Sequence, residues 1–364
     1  MSSVLIFFIP VRGSSHSPKR VNSVPKTTTM ETTNKLTLPW KVRLSIYLLS
    51  FLSDFSRRSD GTINRRIFNL VDRKVQPNPK PVNGVYSSDV TVDPVRNLWF
   101  RLFVPSSSVS AVAASLPVIV YFHGGAFAFL SPDSMNFDAL CRLLCRSCNA
   151  VVVSVNYRLT PEHIYPSQYE DGFDVVKFLD QNQNGTVLPP AADVTKCFLM
   201  GDSAGGNLSH HVAVRICKER LRMVNVIGLV AIQPFFGGEE RTESEIQLEG
   251  APLISLDRTD WYWKAFLPNG SNRDHGAVNV WGPNAEDISG LNYPNTLVFT
   301  GGFDPLRDWQ RKYYEWLKLS GKEAQLIDFP NASHGFYFFL ELPETPQAIS
   351  HVKDFITQQI DNAN

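Results

Sequence analysis

Neither sign of charge prevails in this 364-residue chain: 35 lysines and arginines face 35 aspartates and glutamates. Without a basic excess there is no electrostatic footprint for nucleic acid, and an anionic membrane surface would gain nothing from it either. Cysteine is scarce and odd in number, five in all. That argues against a disulfide framework and for a reducing compartment, the cytoplasm or nucleus. Three of the five, Cys141, Cys145 and Cys148, cluster in "CRLLCRSC", but no histidine or further cysteine pair stands near enough to complete a metal site. They are expected to be buried, inert thiols. Long apolar runs are missing too. "VLIFFIPV" spans only residues 4–11, far short of the ~20 residues a bilayer crossing needs, so no membrane span is expected. It also lacks a basic stretch before it and a small-residue cleavage site after it, which weakens any reading as a secretory signal. Residues 12–34 are polar, rich in Ser and Thr and unpatterned, so 1–35 is expected to be a disordered extension, with Met30 as an alternative start. The sequon Asn184-Gly185-Thr186 would matter only in a secreted protein.

What is present describes a globular protein. Hydrophobic residues make up 43% and charged residues 19%, and the length suffices for a sizeable core. From Trp40 to Phe55 the apolar residues Val42, Leu44, Ile46, Tyr47, Leu49, Leu52 and Phe55 recur at helical spacing. They predict an amphipathic helix whose apolar face covers something, within a cap of about residues 36–75. "VYSSDVTVD" (85–93) and "LWFRLFVP" (98–105) alternate as antiparallel strands do. Beyond them come short, continuous apolar runs: 117–122, 150–157, 196–200, 226–232, 296–301 and 324–329. Such runs indicate strands buried on both faces, hence an α/β fold with a mostly parallel sheet and helices on either side. The segment at about 235–292 is rich in aromatic residues and charge and breaks this rhythm, so it is expected to be a lid-like insertion. No internal repeat interrupts 36–364, which reads as one domain, and nothing in the chain speaks to oligomeric state.

One stretch carries chemistry. "FLMGDSAGG" (198–206) places Ser203 in a G-x-S-x-G pattern between a strand signal and a helix signal. That is the setting of a nucleophile elbow, where the turn is so sharp that the residues around the serine must be small. "FHGGAF" (122–127) directly follows another strand. Attack of a serine on an ester carbonyl builds negative charge on oxygen, and glycines let backbone N–H groups approach that oxygen closely. Gly124 and Gly125 are therefore the expected oxyanion donors, with the N–H of Ala204 as a third. His123 is expected to hold this loop rather than act as a base. A serine hydroxyl needs a base to take its proton and an acid to orient the base. After Ser203, Asp304 follows "TLVFTGGF" and His334 follows "AQLIDFPNAS", each just past a strand end. Ligand sites of open α/β sheets lie at that edge. His210 and His211 sit about two turns into the helix after Ser203 and are expected to pack rather than react. Asp308 is expected to begin the next helix, and Asp202 to face away from the serine.

With these residues in place, the chain resembles plant carboxylesterases of the hormone-sensitive-lipase group, in particular the carboxylesterase 18-like branch. "HGGAFAFLSP", "GDSAGGNLSHHVAVRI", "QPFFGGEERTESE", "DRTDWYWKAFLP", "GGFDPLRDWQRKYYEWLK" and "NASHGFYFF" carry the likeness. It implies an α/β-hydrolase fold with an N-terminal helical cap. It also implies hydrolysis of a small-molecule ester with a short acyl chain, without a cofactor or metal. In it Ser203, Asp304 and His334 would be the triad, and Gly124, Gly125 and Ala204 the oxyanion donors. Gibberellin receptors form a related branch and share "RRSDGTINRR" and "DWYWKAFLP". The receptor pattern has valine in place of His334, serine in place of Ala126, and a tyrosine in the region where this chain reads "SDFS" (53–56). By that resemblance the chain is expected to be a working hydrolase, with receptor-like small-molecule binding as the alternative.

Overall fold

The structure, a computed structural model, describes residues 36–106, 115–182 and 187–363. The expected extension 1–35 and the sequon at 184–186 lie outside the described residues. Leu36–Asn364 forms one compact unit.

Along β3 (Leu116–Phe122) successive side chains enter two different cores. Val118, Val120 and Phe122 pack into one, Ile119 and Tyr121 into the other. The same division holds on β4 (Val151–Asn156), β5 (Ala192–Asp202), β6 (Val226–Ile232) and β7 (Asn295–Phe303). On β5, for example, Leu199 faces one core and Phe198 and Met200 the other. Burial on both faces is the reason the sequence runs apolar there instead of alternating. β1 (Val85–Asp93) and β2 (Leu98–Pro105) form an antiparallel pair at one edge, and β8 (Ala324–Ser333) lies at the other. The order is β1-β2-β4-β3-β5-β6-β7-β8. From β4 to β8 every neighbouring pair is parallel. Helices α3 (Met135–Cys148) and α9 (Glu344–Ala363) contribute to one core. The other core takes α4 (Ser167–Gln181), α5 (Ala204–Lys218) and α8 (Arg307–Leu319).

Parallel register brings four strand ends to one edge. Phe122 pairs with Gly201, Asp202 with Ile232, and Phe303 with Ser333. The residues that follow, His123-Gly124, Ser203, Asp304 and His334, leave the sheet together.

Two elements form a wall above that edge. α1 (Trp40–Ser56) is followed by the short α2 (Arg65–Phe68). The expected insertion holds α6 (Glu243–Gln247) and α7 (Leu256–Phe266). Phe235, Phe236, Trp263 and Phe266 of this segment are buried in the main core, so it is an integral part of the packing. The face that α1 buries differs from expectation. Val42 and Ile46 are buried, but the rest of that face is Ser50, Ser53 and Ser56. Leu44, Tyr47 and Phe55 point outward, 57–64% exposed. The serines can turn inward because each hydroxyl is satisfied. Ser50 donates to the Ile46 carbonyl at 2.8 Å and accepts from the Leu253 N–H at 2.8 Å. Ser56 donates to the Ser53 carbonyl, and Ser53 shares a 2.6 Å hydrogen bond with the Tyr262 hydroxyl. Small satisfied residues let the helix backbone approach closely, and the bulky side chains are left outside.

Cys141 and Cys145 are buried on α3 and Cys148 is half-buried at its end. Burial pushes the thiols of Cys145 and Cys148 up to about 12, which keeps them protonated and unreactive. Among the described residues no group of His, Cys, Asp and Glu is placed to hold a metal ion. Nor is any helix there long and apolar enough to cross a membrane.

Candidate active site

The turn after β5 sets Ser203 at φ 50°, ψ −118°, a left-handed conformation that costs a non-glycine residue energy and occurs where the surroundings enforce it. Here the turn must reverse from strand to helix within one residue. Gly205 makes this possible, because a Cβ there would collide with the Phe122 carbonyl of the neighbouring strand. The turn is tied down on both sides: the Ser203 N–H donates to the Ile232 carbonyl at 2.9 Å, and the Phe235 N–H donates to the Ser203 carbonyl at 2.8 Å. The hydroxyl is thereby lifted clear of its own backbone.

The structure brings Ser203, His334 and Asp304 together from three separate strand ends. Ser203 Oγ lies 3.0 Å from His334 Nε2, and His334 Nδ1 lies 2.7 Å from Asp304 Oδ2. Asp304 is fully buried, so its carboxylate depends on internal donors. It has three: His334 Nδ1–H and Gln310 Nε2 (2.7 Å) on Oδ2, and the Leu306 N–H (2.9 Å) on Oδ1. A carboxylate accepting at Nδ1 fixes the tautomer, with the proton on Nδ1 and the Nε2 lone pair free to accept from the serine hydroxyl. Gln233 holds the histidine loop, accepting from the Gly335 N–H at 2.9 Å.

The expected oxyanion donors separate. The Gly124 N–H donates to Asp202 Oδ1 at 2.9 Å, so it is already used and cannot face a substrate oxygen. This corrects the expectation for Gly124. Gly125 adopts φ 106°, which turns the chain so that Gly125 and Ala126 line the cavity beside Ser203. Among the described residues, the N–H groups of Gly125, Ala126 and Ala204 have no hydrogen-bond acceptor. The available trio is therefore Gly125, Ala126 and Ala204. The motif alone could not reveal this, because it does not say which of two adjacent glycines is tethered.

Asp202 is the second residue whose part went unread. Its carboxylate accepts from the Tyr121 hydroxyl (2.6 Å) and the Gly124 N–H on Oδ1, and from the Tyr337 hydroxyl (2.8 Å) on Oδ2. It thus ties the elbow to the glycine loop and to the turn that follows His334. Burial raises its pKa to about 6, against the opposing pull of those three hydrogen bonds. His123 is structural, as expected. Its Nδ1 lies 2.8 Å from the Gly124 carbonyl, its ring stacks on Tyr157, and burial lowers its pKa to about 3. His210 and His211 are packing residues: His210 bonds the Tyr293 hydroxyl and His211 stacks on Tyr169. Asp308 stands in the first turn of α8, where it accepts from the Ser244 N–H.

Ser203 and His334 open into a cavity of about 400 Å³. Ile46, Leu49 and Ser53 of α1, Leu253, Ile254 and Tyr262 of the insertion, and Phe129, Phe137 and Phe338 line it. Among the described residues, Asp202 is the only Asp, Glu, Lys or Arg that does.

Comparison with known proteins agrees with this architecture. The family described as alpha/beta hydrolase fold matches residues 119–338. Gibberellin receptor GID1C of Arabidopsis thaliana is 41% identical over 84% of this chain and 90% of its own. Carboxylesterase 20 of Arabidopsis thaliana is 36% identical over 73% of this chain and 83% of its own. Among solved structures, a hyperthermophilic esterase from the archaeon Pyrobaculum calidifontis is 26% identical, with a TM-score of 0.69 over 87% of this chain and 98% of its own. The strand order, the elbow and a match across more than half of its length agree: the chain belongs to the α/β-hydrolase family.

Proposed function

We propose that this protein is a serine carboxylesterase that hydrolyses small, uncharged esters with short acyl chains. One observation carries the reading: the His334 ring is hydrogen-bonded at both ends, to Ser203 Oγ and to a buried Asp304. A serine at the end of a strand has no structural need for such a pair. In the proposed reaction Ser203 Oγ attacks the acyl carbon while His334 Nε2 takes its proton, and Asp304 stabilises the imidazolium that results. The N–H groups of Gly125, Ala126 and Ala204 receive the charge that develops on the carbonyl oxygen. His334 then protonates the departing alcohol, and a water activated by the same nitrogen releases the acid. The esterases among the relatives and solved structures support the same class.

The test is direct. Ser203→Ala should abolish hydrolysis of p-nitrophenyl butyrate while leaving the far-UV spectrum unchanged. Full turnover by that variant would remove Ser203 from the mechanism.

A second reading is small-molecule binding without turnover, supported by the 41% identity to a gibberellin receptor. Calorimetry with a gibberellin separates the two. Saturable binding, together with no hydrolysis of any p-nitrophenyl ester by the unmodified protein, would favour the receptor reading.

A further inference from the structure

α1 turns its more hydrophobic side to solvent. Trp40, Leu44, Tyr47, Leu48, Phe51 and Phe55 are 48–70% exposed, with Leu48 at the edge where the stripe meets the Ser203 cavity. At 3.6 residues per turn they fall within a single stripe about 100° wide. The helix buries the opposite side, where Val42, Ile46, Ser50 and Ser53 meet the protein. The four rings alone present roughly 500 Å² of apolar surface, taking ~150–250 Å² for each aromatic side chain. Monomers rarely leave more than a few hundred Å² of contiguous apolar surface open. With the two leucines and the rim, the stripe approaches the ~800 Å² that each partner contributes to a standard stable interface.

The order of residues along the stripe selects the occupant. Reflected about the midpoint between Tyr47 and Leu48, Trp40 comes level with Phe55 and Leu44 level with Phe51, while Tyr47, beside the axis, meets its own copy. A second α1 laid antiparallel across the first would therefore set large apolar groups against large apolar groups along the whole helix. A two-fold axis requires this self-complementarity, because each patch must meet its own copy. The charges agree. Arg43 and Asp54 lie on the same flank of the stripe near opposite ends, so the two-fold brings Arg43 toward the partner's Asp54. Asp54 bonds Arg57 and Arg258, yet its side chain keeps 37% of its surface exposed to a third cation.

We propose that the outward face of α1 is a homodimer interface, in which two copies pack their α1 helices antiparallel about an axis at Tyr47 and Leu48. α1 also walls the Ser203 cavity through Ile46, Leu49 and Ser53, so dimerisation would brace that wall from outside.

The full chain should sediment as a dimer at micromolar concentration. Phe51→Glu should weaken the dimer by about thirtyfold or more, the effect of losing one central anchor. Because Phe51 is 62% exposed, that variant should keep its circular-dichroism spectrum, and its melting temperature should match that of the unmodified protein diluted until its dimer dissociates. Cysteine pairing fixes the geometry. Tyr47→Cys should cross-link to itself under mild oxidation, and Leu44→Cys should cross-link when mixed with Phe51→Cys. Trp40→Cys alone should stay uncross-linked beyond the level of the unmodified protein, because an antiparallel pair separates its copies by about 22 Å. A chain that stays monomeric at 50 µM, a dimer untouched by Phe51→Glu, or cross-linking at Trp40→Cys but not at Tyr47→Cys would each overturn the proposal. None of these readouts depends on ester turnover, so the interface can fail while the esterase reading stands, and the reverse.

Discussion

At the scale of single residues, two buried aspartates of the same site have opposite tasks. Asp304 accepts three hydrogen bonds and orients His334. Asp304→Asn should keep the fold but can present an amide N–H to Nδ1, which favours the wrong tautomer. The expected outcome is a fall in kcat of about 10³–10⁴ with KM nearly unchanged, measured with p-nitrophenyl butyrate. Asp202 bears on stability as well. Its pKa is raised to about 6 from 3.8, with burial as the largest cause. A raised carboxylate pKa means that the folded protein binds the proton more tightly than the unfolded chain. The group's contribution is therefore fully present below pH ~4 and lost as pH rises through ~6, a cost of about 3 kcal/mol at 1.36 kcal/mol per pKa unit. Asp202→Asn removes that cost. The melting temperature of the variant relative to the unmodified protein should rise between pH 4 and 7. Its kcat should fall at the same time, because the Gly124 loop and the Tyr337 turn lose a charged anchor. A melting-temperature difference independent of pH would show that Asp202 does not titrate in this window.

At the scale of elements, the sheet was legible and the cap was only half so. Runs such as "PVIVYF" and "VIGLVAI" mark β3 and β6 within a residue or so, because burial on both faces permits only apolar side chains. Ser203, Asp304 and His334 could be picked out for a related reason: parallel strands end at one edge, and each residue directly follows a strand. α1 defeated the same logic. Its periodicity gives a helix but not its rotation, because Ser50, Ser53 and Ser56 bury as readily as leucine when their hydroxyls find acceptors. Which glycine of "HGGA" faces the cavity depends on Asp202, whose side-chain direction no periodicity encodes. The close approach of α1 to the insertion can be tested. Ser53→Leu would force a branched side chain against Tyr262, where the hydroxyls now lie 2.6 Å apart. Overpacking of this kind costs about 1–3 kcal/mol, so denaturant melts should show a lowered midpoint, whereas Lys41→Leu at an exposed position of the same helix, away from the cavity, should not. Equal losses for the two would mean that α1 does not pack through Ser53.

At the scale of the whole molecule, the proposed esterase would take its substrate range from the length of the cavity and its mostly apolar walls. An acyl chain that extends from Ser203 gains about 0.8 kcal/mol for each buried CH₂, roughly a fourfold rise in kcat/KM per carbon while space lasts. One side of the cavity is an aromatic wall. Phe68 of α2 stacks on Phe129 with ring centroids 4.2 Å apart, and both line the Ser203 cavity. The same pair, with Leu130, also lines a second cleft of about 450 Å³ behind it, whose walls include Arg65, Lys74, Arg96 and Arg158. Those cations are already paired with carboxylates, so among the described residues the cleft offers no unpaired Lys or Arg to an anionic substrate. With p-nitrophenyl esters of increasing acyl length, kcat/KM should climb through the short members and then drop once the chain meets the two rings. Phe68→Ala removes one ring and joins the two spaces. Its optimum should move to a longer acyl chain, at a stability cost of about 3–5 kcal/mol for the lost buried ring. The shift in optimum is the informative quantity, because loss of stability alone lowers all chain lengths alike. An optimum that stays put in a folded Phe68→Ala protein would mean that the acyl chain runs toward α1 and Leu253 instead, and Leu49 would then be the residue that limits its length.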